Sequence, residues 1–214
     1  LAVGGSATVD GGAGCLQALG WIFLDPTGRE LPRGMGGGAL SGIGKAVPPA
    51  KGWNVPITLL ADVDAPLLGP QGAARLYGPQ KGATPAEVVV LEAGLARWST
   101  VLAAISSAGL LDPQREPYLG AAGGIPAGLA AALGAEIVGG FKFLSEQIEL
   151  RERVSRADLV VTGEGRLDRQ TLQGKVVAGV AELAAAAEVP CAAIVGRVDQ
   201  EARAEVETAL KLHS

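Results

Sequence analysis

The chain opens LAVGGSATVDGGAG, with five glycines between Gly4 and Gly14. Glycine admits positive φ and lets a second backbone or a ligand approach where a Cβ would block it. So dense a run does not suit the interior of a helix or a strand, and it reads as a tight turn. Leu1-Ala2-Val3 before it reads as the stub of a buried strand, and the residues from Gly12 to Gly20 as a short helix. A glycine turn ahead of a helix presents backbone N–H groups to an anion such as phosphate or carboxylate. Gly4, Gly5, Ser6 and Thr8 are therefore candidate substrate- or phosphate-binding residues, and Asp10 adds a carboxylate. A bend capped by Asp10 with no ligand satisfies the same pattern. Termini normally fray, so an ordered turn this close to residue 1 leads us to expect a chain that is part of a longer protein.

The segments that follow alternate between strand and helix. Trp21–Leu24 reads as a strand ending in the turn Asp25-Pro26-Thr27-Gly28, and residues 31–49 as loop. Val55–Ala61 is a second strand, running into Asp62. Thr84-Pro85-Ala86-Glu87 carries an N-cap, a first-turn proline and a capping-box glutamate. The helix it starts extends to about Ser106, with Val89, Leu91, Leu95, Trp98, Leu102 and Ile105 near helical spacing. Gly120–Gly124 is a loop before a helix in the region 125–133, and residues 141–153 read as helix. In the last sixty residues, Asp158–Thr162 reads as a strand, 171–188 as helix, Cys191–Val195 as strand and 199–212 as helix. That order predicts a parallel sheet with ligands at the carboxyl ends of its strands. The GEGR sequence at Gly163–Arg166 is then a loop at such an end.

Composition narrows the function classes. The 214 residues are 48% hydrophobic, enough for a real core, and carry a net charge of −4 without a basic cluster, so nucleic acid is not an expected partner. No run of 18 uncharged apolar residues appears, and no membrane partner is expected. Cys15 and Cys191 are too few for a disulfide framework and read as buried free thiols, in keeping with a reducing cytoplasm. The single histidine, His213, leaves no room for Ser-His-Asp or Cys-His catalysis or for a histidine-rich zinc site. The phosphate fingerprints fail as well. Gly12 and Gly14 are followed by Gln17 where a dinucleotide pattern needs glycine or alanine. Gly44-Lys45 and Gly174-Lys175 lack the flanking residues of a P-loop. Chemistry here must run on carboxylates, Lys, Arg, hydroxyls and backbone dipoles, a set that suits phosphoryl transfer.

Three further segments supply such groups. Asp62 and Asp64 lie two apart at a strand end, where a carboxylate can hold Mg²⁺; Asp64 equally suits a solvated turn before Pro66. Arg75 and Lys81 flank a Gly-Pro turn and could clamp an anion, or be ordinary surface charges. Glu164, Arg166, Asp168 and Gln170 crowd one corner. There Glu164 and Asp168 are candidates for metal ligand or general base and Arg166 for an anion clamp, with a salt-bridged loop as the alternative.

Taken together, GGSATVDGGAGCLQALG, GPQKGA, GAAGG and DLVVTGEGRLDRQTLQGKVVAGVA resemble, in this order, the motifs of the bacterial type-1 glycerate kinases. The match runs through nearly the whole chain, although Ala65 stands where the family usually has Asn and Pro117-Tyr118-Leu119 replaces Pro-Gly-Ala. Family members are substantially longer, so the resemblance implies truncation at both ends. It implies an α/β fold of two domains with the site in the cleft between them. Residues 1–140 would be mostly an inserted mixed α/β domain, and 141–214 part of a Rossmann- or flavodoxin-like domain with a parallel sheet. The implied activity is ATP-dependent, Mg²⁺-assisted phosphorylation of D-glycerate, in many members at the 2-hydroxyl. The implied catalytic residues are Asp168, Glu164, Asp10 and Lys81, with Gly4, Gly5, Ser6, Thr8, Arg75 and Arg166 on substrate or phosphate and Asp62 and Glu164 on metal. The expected partners are glycerate and ATP, with a homodimer as a candidate assembly. Two alternatives stand beside this: a kinase for another small hydroxy acid, and an anion-binding fragment or homologue without turnover.

Overall fold

A computed structural model describes residues 1–106, 112–167, 171 and 176–200. The chain folds as two compact units, Leu1–Val138 and Gly139–Ser214, in a mixed α/β architecture.

In the first unit Leu1–Val3 lies parallel to strand β3 (Thr58–Ala61), with the Leu60 N–H donating to the Leu1 carbonyl at 2.8 Å and the Val3 N–H to the Leu60 carbonyl at 3.0 Å. The opening is strand-like, as its apolar residues suggest, but it is not buried: Leu1 is 68% exposed. Strand β4 (Glu136–Gly139), unmarked by any sequence pattern, also pairs with β3. Strands β1 (Ile22–Leu24) and β2 (Lys45–Val47) pair antiparallel with Phe23 opposite Ala46. Strand β2 lies inside the expected loop 31–49; three residues are too few for alternation to show, and pairing with β1 supplies what propensity does not. A 3₁₀ turn at Gly37–Gly42 occupies more of that loop.

Four helices pack on these strands: α1 (Ala13–Ala18), α2 (Ala73–Tyr77), α3 (Pro85–Ile105) and α4 (Ala121–Leu133). The capping box at α3 forms as the sequence implies, the Glu87 N–H donating to Thr84 Oγ1 and the Thr84 N–H to Glu87 Oε2. The inward row of α3 is Leu95, Trp98, Val101 and Leu102, with Leu91 and Val88 partly buried behind it. Val89 was expected on that row and is instead 63% exposed, because six residues before Leu95 falls off the face that three- and four-residue steps define. Phe23 meets Trp98 edge to face at 5.1 Å in the centre of the core. By length and composition alone α3 is apolar enough to cross a membrane, and its buried row packs into this core. Regular geometry in α4 begins at Ile125, because Ala122, Gly123 and Gly124 are all left-handed with φ of 51°, 79° and 95°.

In the second unit α5 (Gly140–Gln147) and α6 (Leu150–Val154) replace the single helix expected over 141–153; Glu149, at φ 52°, breaks it. Strand β5 (Val160–Leu167) and β6 (Cys191–Val198) pair in parallel from Val160↔Cys191 to Leu167↔Val198, joined through α7 (Val176–Ala186). GEGR is therefore not a loop at a strand end but the second half of β5. Its glycines serve close approach of strands: a Cβ on Gly163 would collide with the Ile194 carbonyl, and one on Gly196 would sit 2.9 Å from that of Gly165. Val177, Ala181 and Ala184 of α7 bury against Leu167 and Cys191. Cys191 is buried, but Cys15 is exposed, contrary to expectation, because it lies on the outer side of α1 from buried Leu16 and Gln17. The helix expected over 199–212 lies almost wholly outside the described residues.

The contact that orders the first unit is backbone on backbone. The Gly11 N–H donates to the Gly123 carbonyl at 3.0 Å, and a Cβ on Gly124 would stand 2.8 Å from the Gly11 Cα. A Cβ on Gly128 would run into the Gly11 carbonyl and lie 3.3 Å from the Gly12 Cα. In an exposed helix Gly→Ala stabilises by roughly 1 kcal/mol; here Gly128→Ala should destabilise by about 1–3 kcal/mol, because overpacking outweighs propensity. Urea unfolding reads the sign, with Gly42→Ala, whose Cβ would meet nothing within 4 Å, as the neutral comparison.

Candidate functional site

Asp10 is buried just ahead of α1, and its carboxylate is already occupied. Oδ1 accepts the Gly12 N–H at 3.1 Å and Oδ2 the Gly14 N–H at 2.9 Å, while Thr8 Oγ1 lies 3.5 Å from Oδ1. An aspartate before a helix commonly satisfies the first free N–H groups in this manner, and its charge favours that end. The Trp98 indole N–H donates to the Gly11 carbonyl at 2.9 Å, tying the turn to the core. The glycine turn is thus clasped between α3 and the left-handed run that opens α4.

On this clasp sits Lys81, from the turn after α2. Its Nζ donates to Ser6 Oγ at 2.9 Å and to the Thr8 carbonyl at 2.7 Å, and Ser6 Oγ in turn donates to the Ala122 carbonyl at 2.7 Å. The Tyr77 ring lies 5.9 Å from the ammonium. Burial pulls the Lys81 amine below the ordinary lysine range, and the charge of Asp10 partly opposes that. Among the described residues both of its hydrogen-bond partners are neutral oxygens, which leaves the ammonium capacity to bind an anion. A cavity of about 350 Å³ opens beside Lys81, bounded by Val9, Gly38, Gly82, Glu87 and Leu91.

The other predicted residues of this unit fall around the same turn or on its surface. The parallel bridge Ala2↔Leu60 puts the exits of both segments at one end, so Gly4 and Gly5 leave beside Asp62. Gly5 has φ 62°, and neither glycine has a neighbour within 4 Å of a built Cβ, so a ligand could approach there. Asp62 and Asp64 are exposed, as is Arg75 on α2.

In the second unit Glu164 and Arg166 are two apart on β5 and so share a strand face. Thr171 Oγ1, fully buried, donates to Glu164 Oε1 at 2.5 Å. Arg166 Nη2 donates to Asp199 Oδ2 at 3.0 Å, just past the end of β6. Asp168 and Gln170 lie outside the described residues. Among the described residues no three His, Cys, Asp or Glu side chains gather as a metal cluster. Sequence reasoning missed Thr171, Asp199, Trp98 and Ala122. Asp199 becomes a neighbour of Arg166 through the parallel register of β5 and β6, Thr171 reaches Glu164 from seven residues further along the chain, and Ala122 contributes a carbonyl, which no residue type announces.

The sequence profile of the glycerate kinase family matches residues 1–212. The chain is 40% identical over 206 residues to the glycerate 2-kinase of Escherichia coli (strain K12), covering 94% of this chain and 52% of that protein. It is 39% identical over 207 residues to the glycerate kinase of Bacillus subtilis (strain 168), covering 95% and 53%. The crystal structure described as glycerate kinase 2 from Salmonella typhimurium LT2 superposes with a TM-score of 0.70 at 34% identity, over 98% of this chain and 58% of that one. The chain spans about half the length of the curated relatives it matches. With a profile match from end to end and relatives near 40% identity, the chain belongs to the glycerate kinase family.

Proposed function

We propose that the protein to which this chain belongs transfers the γ-phosphoryl group of ATP to a hydroxyl of D-glycerate, forming 2-phosphoglycerate and ADP. We also propose that the first unit is the family's inserted domain and that the second belongs to its parallel-sheet domain. The observation that carries the reading is Lys81: a half-buried ammonium held by Ser6 and Thr8 over a glycine turn, with capacity left for an acidic ligand. Glycerate kinases among its relatives supply the substrate class.

In this mechanism the substrate hydroxyl oxygen attacks the γ-phosphorus. The new O–P bond forms as the bond to the bridging oxygen breaks, and ADP leaves with that electron pair. Such transfers depend on positioning and positive charge more than on covalent help from the protein. Lys81 and the open backbone at Gly4 and Gly5 bind and orient the acidic substrate or the phosphoryl oxygens. Asp10, engaged by two backbone N–H groups, positions the turn rather than taking a proton. Asp168 takes the hydroxyl proton. Glu164, braced by Thr171, would hold Mg²⁺, and Arg166, braced by Asp199, would neutralise an anionic group. Mg²⁺ is commonly held by one or two carboxylates together with substrate phosphates. The exposed carboxylate of Asp62 at the end of β3 fits that mode better than a ready-made cage. When bound, the ion neutralises charge on the phosphates.

Lys81→Met in the full-length protein should cut kcat/KM for glycerate by about 10²–10³-fold, the usual cost of one preorganised donor to a reacting anion. A coupled ADP-release assay measures it, with NMR of the product identifying the isomer. Asp168→Asn should abolish turnover and leave the melting temperature nearly unchanged; a fully active variant would remove Asp168 from the mechanism. The pH dependence follows from the lowered Lys81 amine. The cation binds below its own pKa and is lost as pH rises through it, so kcat/KM should fall on the alkaline side before ordinary lysines titrate. In Lys81→Arg, which stays charged, whatever activity remains should lose that limb.

A further inference from the structure

Ser6 stands where the sequence suggests a substrate ligand, yet its hydroxyl is committed elsewhere. Lys81 Nζ lies 2.9 Å from Ser6 Oγ, which in turn lies 2.7 Å from the Ala122 carbonyl oxygen. An ammonium only donates and a carbonyl only accepts. The direction of both bonds is therefore fixed: Ser6 gives its one proton to Ala122 and a lone pair to Lys81. Carboxylate and phosphate oxygens also only accept, so Ser6 has no proton left for an acidic ligand.

The backbone enforces this commitment. Ala122 has φ 51°, a left-handed conformation uncommon for alanine, in the run that opens α4. Its carbonyl takes a bond from outside the helix, from a residue 116 positions earlier in the chain. Gly123, next along, packs so closely on Thr8 that a Cβ there would strike the Thr8 carbonyl. That carbonyl is the other acceptor from Lys81, at 2.7 Å. Both acceptors are thus referred to Ala122–Gly123, Ser6 by a hydrogen bond and Thr8 by packing.

We infer that Ser6 is a positioning residue: it fixes the Lys81 ammonium against Ala122 and acts on an acidic substrate only through that ammonium. This role rests on the proposed function of Lys81. It removes Ser6 from direct contact with carboxylate or phosphate, which the family resemblance implied. Lysine carries a compact charge on a flexible stem, and holding it in place beforehand spares that ordering cost when the ligand binds. The charged and titratable groups that face Lys81 are Asp10 ahead of α1, Tyr77 on α2 and Glu87 of α3, which lines the same cavity. Ser6→Ala leaves all three in place, so a change in how Lys81 titrates reports the hydroxyl.

Two measurements on the full-length protein test it. The first needs no turnover: labelling with acetic anhydride across a pH series, read site by site by mass spectrometry, titrates Lys81 without substrates. Loss of an acceptor for the charged form lowers an amine's pKa. In Ser6→Ala the Lys81 titration should therefore move down by about half a pH unit or more. An unmoved titration overturns the assignment. The second is a double-mutant cycle in kcat/KM for glycerate, read at a pH below the alkaline limb. Ser6→Ala should cost roughly tenfold with Lys81 present and nothing further in Lys81→Met, where Ser6 has nothing to act through. The same loss in both backgrounds would show direct contact with substrate and overturn the assignment, as would no loss with Lys81 present. Should the protein not phosphorylate glycerate at all, the kinase reading falls, and the labelling titration alone decides whether Ser6 holds Lys81.

Discussion

The first unit is organised by a contact that no side chain could make. Gly11 and Gly12 lie directly against Gly123, Gly124 and Gly128, at distances where a Cβ on any of the last three would strike backbone. This approach brings the Thr8–Asp10 segment beside Ala122, whose carbonyl then accepts from Ser6. It also leaves the Thr8 carbonyl turned to Lys81. Ser6, Thr8, Ala122 and Lys81 come from three distant stretches of chain, and the glycine clasp is what makes them neighbours. One glycine-rich string that reads as an anion-binding turn and another that reads as a plain loop before a helix are, in physical terms, the two faces of one interface.

That interface explains the division of labour between the charged groups. Asp10 has its carboxylate filled by backbone donors and stiffens the turn. Lys81 is the opposite case, a partly desolvated cation whose fixed partners are neutral oxygens. Partial removal of a cation from water costs free energy that an incoming anion would recover, and the proposed substrate role of Lys81 draws on that. In the second unit the carboxylate and guanidinium of β5 are each braced by a neighbour, Thr171 and Asp199, which limits the rotamers they can adopt.

Much of this was legible in the sequence where a local rule governs. The capping box at Thr84, the turn at Asp25 and the helix restart at Ile125 each follow from a few adjacent residues, and all appear in the fold. Elements made by pairing were not legible. Strands β2 and β4 are three and four residues long, with no pattern of their own, and exist because β1 and β3 lie alongside. The glycines of GEGR suggested a loop because glycine usually marks one, whereas here they permit close approach inside a parallel pair. For the site, residue type pointed to Ser6, Thr8 and Asp10 in one segment and to Lys81 in another, and the fold brings the four together. It could not reveal that Asp10 is spent on backbone, nor that a plain alanine carbonyl anchors Ser6.

The central claim is that the Lys81 ammonium, fixed by the glycine clasp, is the seat of the substrate's negative charge. A crystal structure of the full-length protein with D-glycerate and a non-hydrolysable ATP analogue tests it most directly. The account predicts a carboxylate or phosphate oxygen about 2.7–3.0 Å from Lys81 Nζ, a charge-assisted bond, with the Ser6 and Thr8 contacts kept. Glycerate and nucleotide both bound with Lys81 touching neither would contradict it.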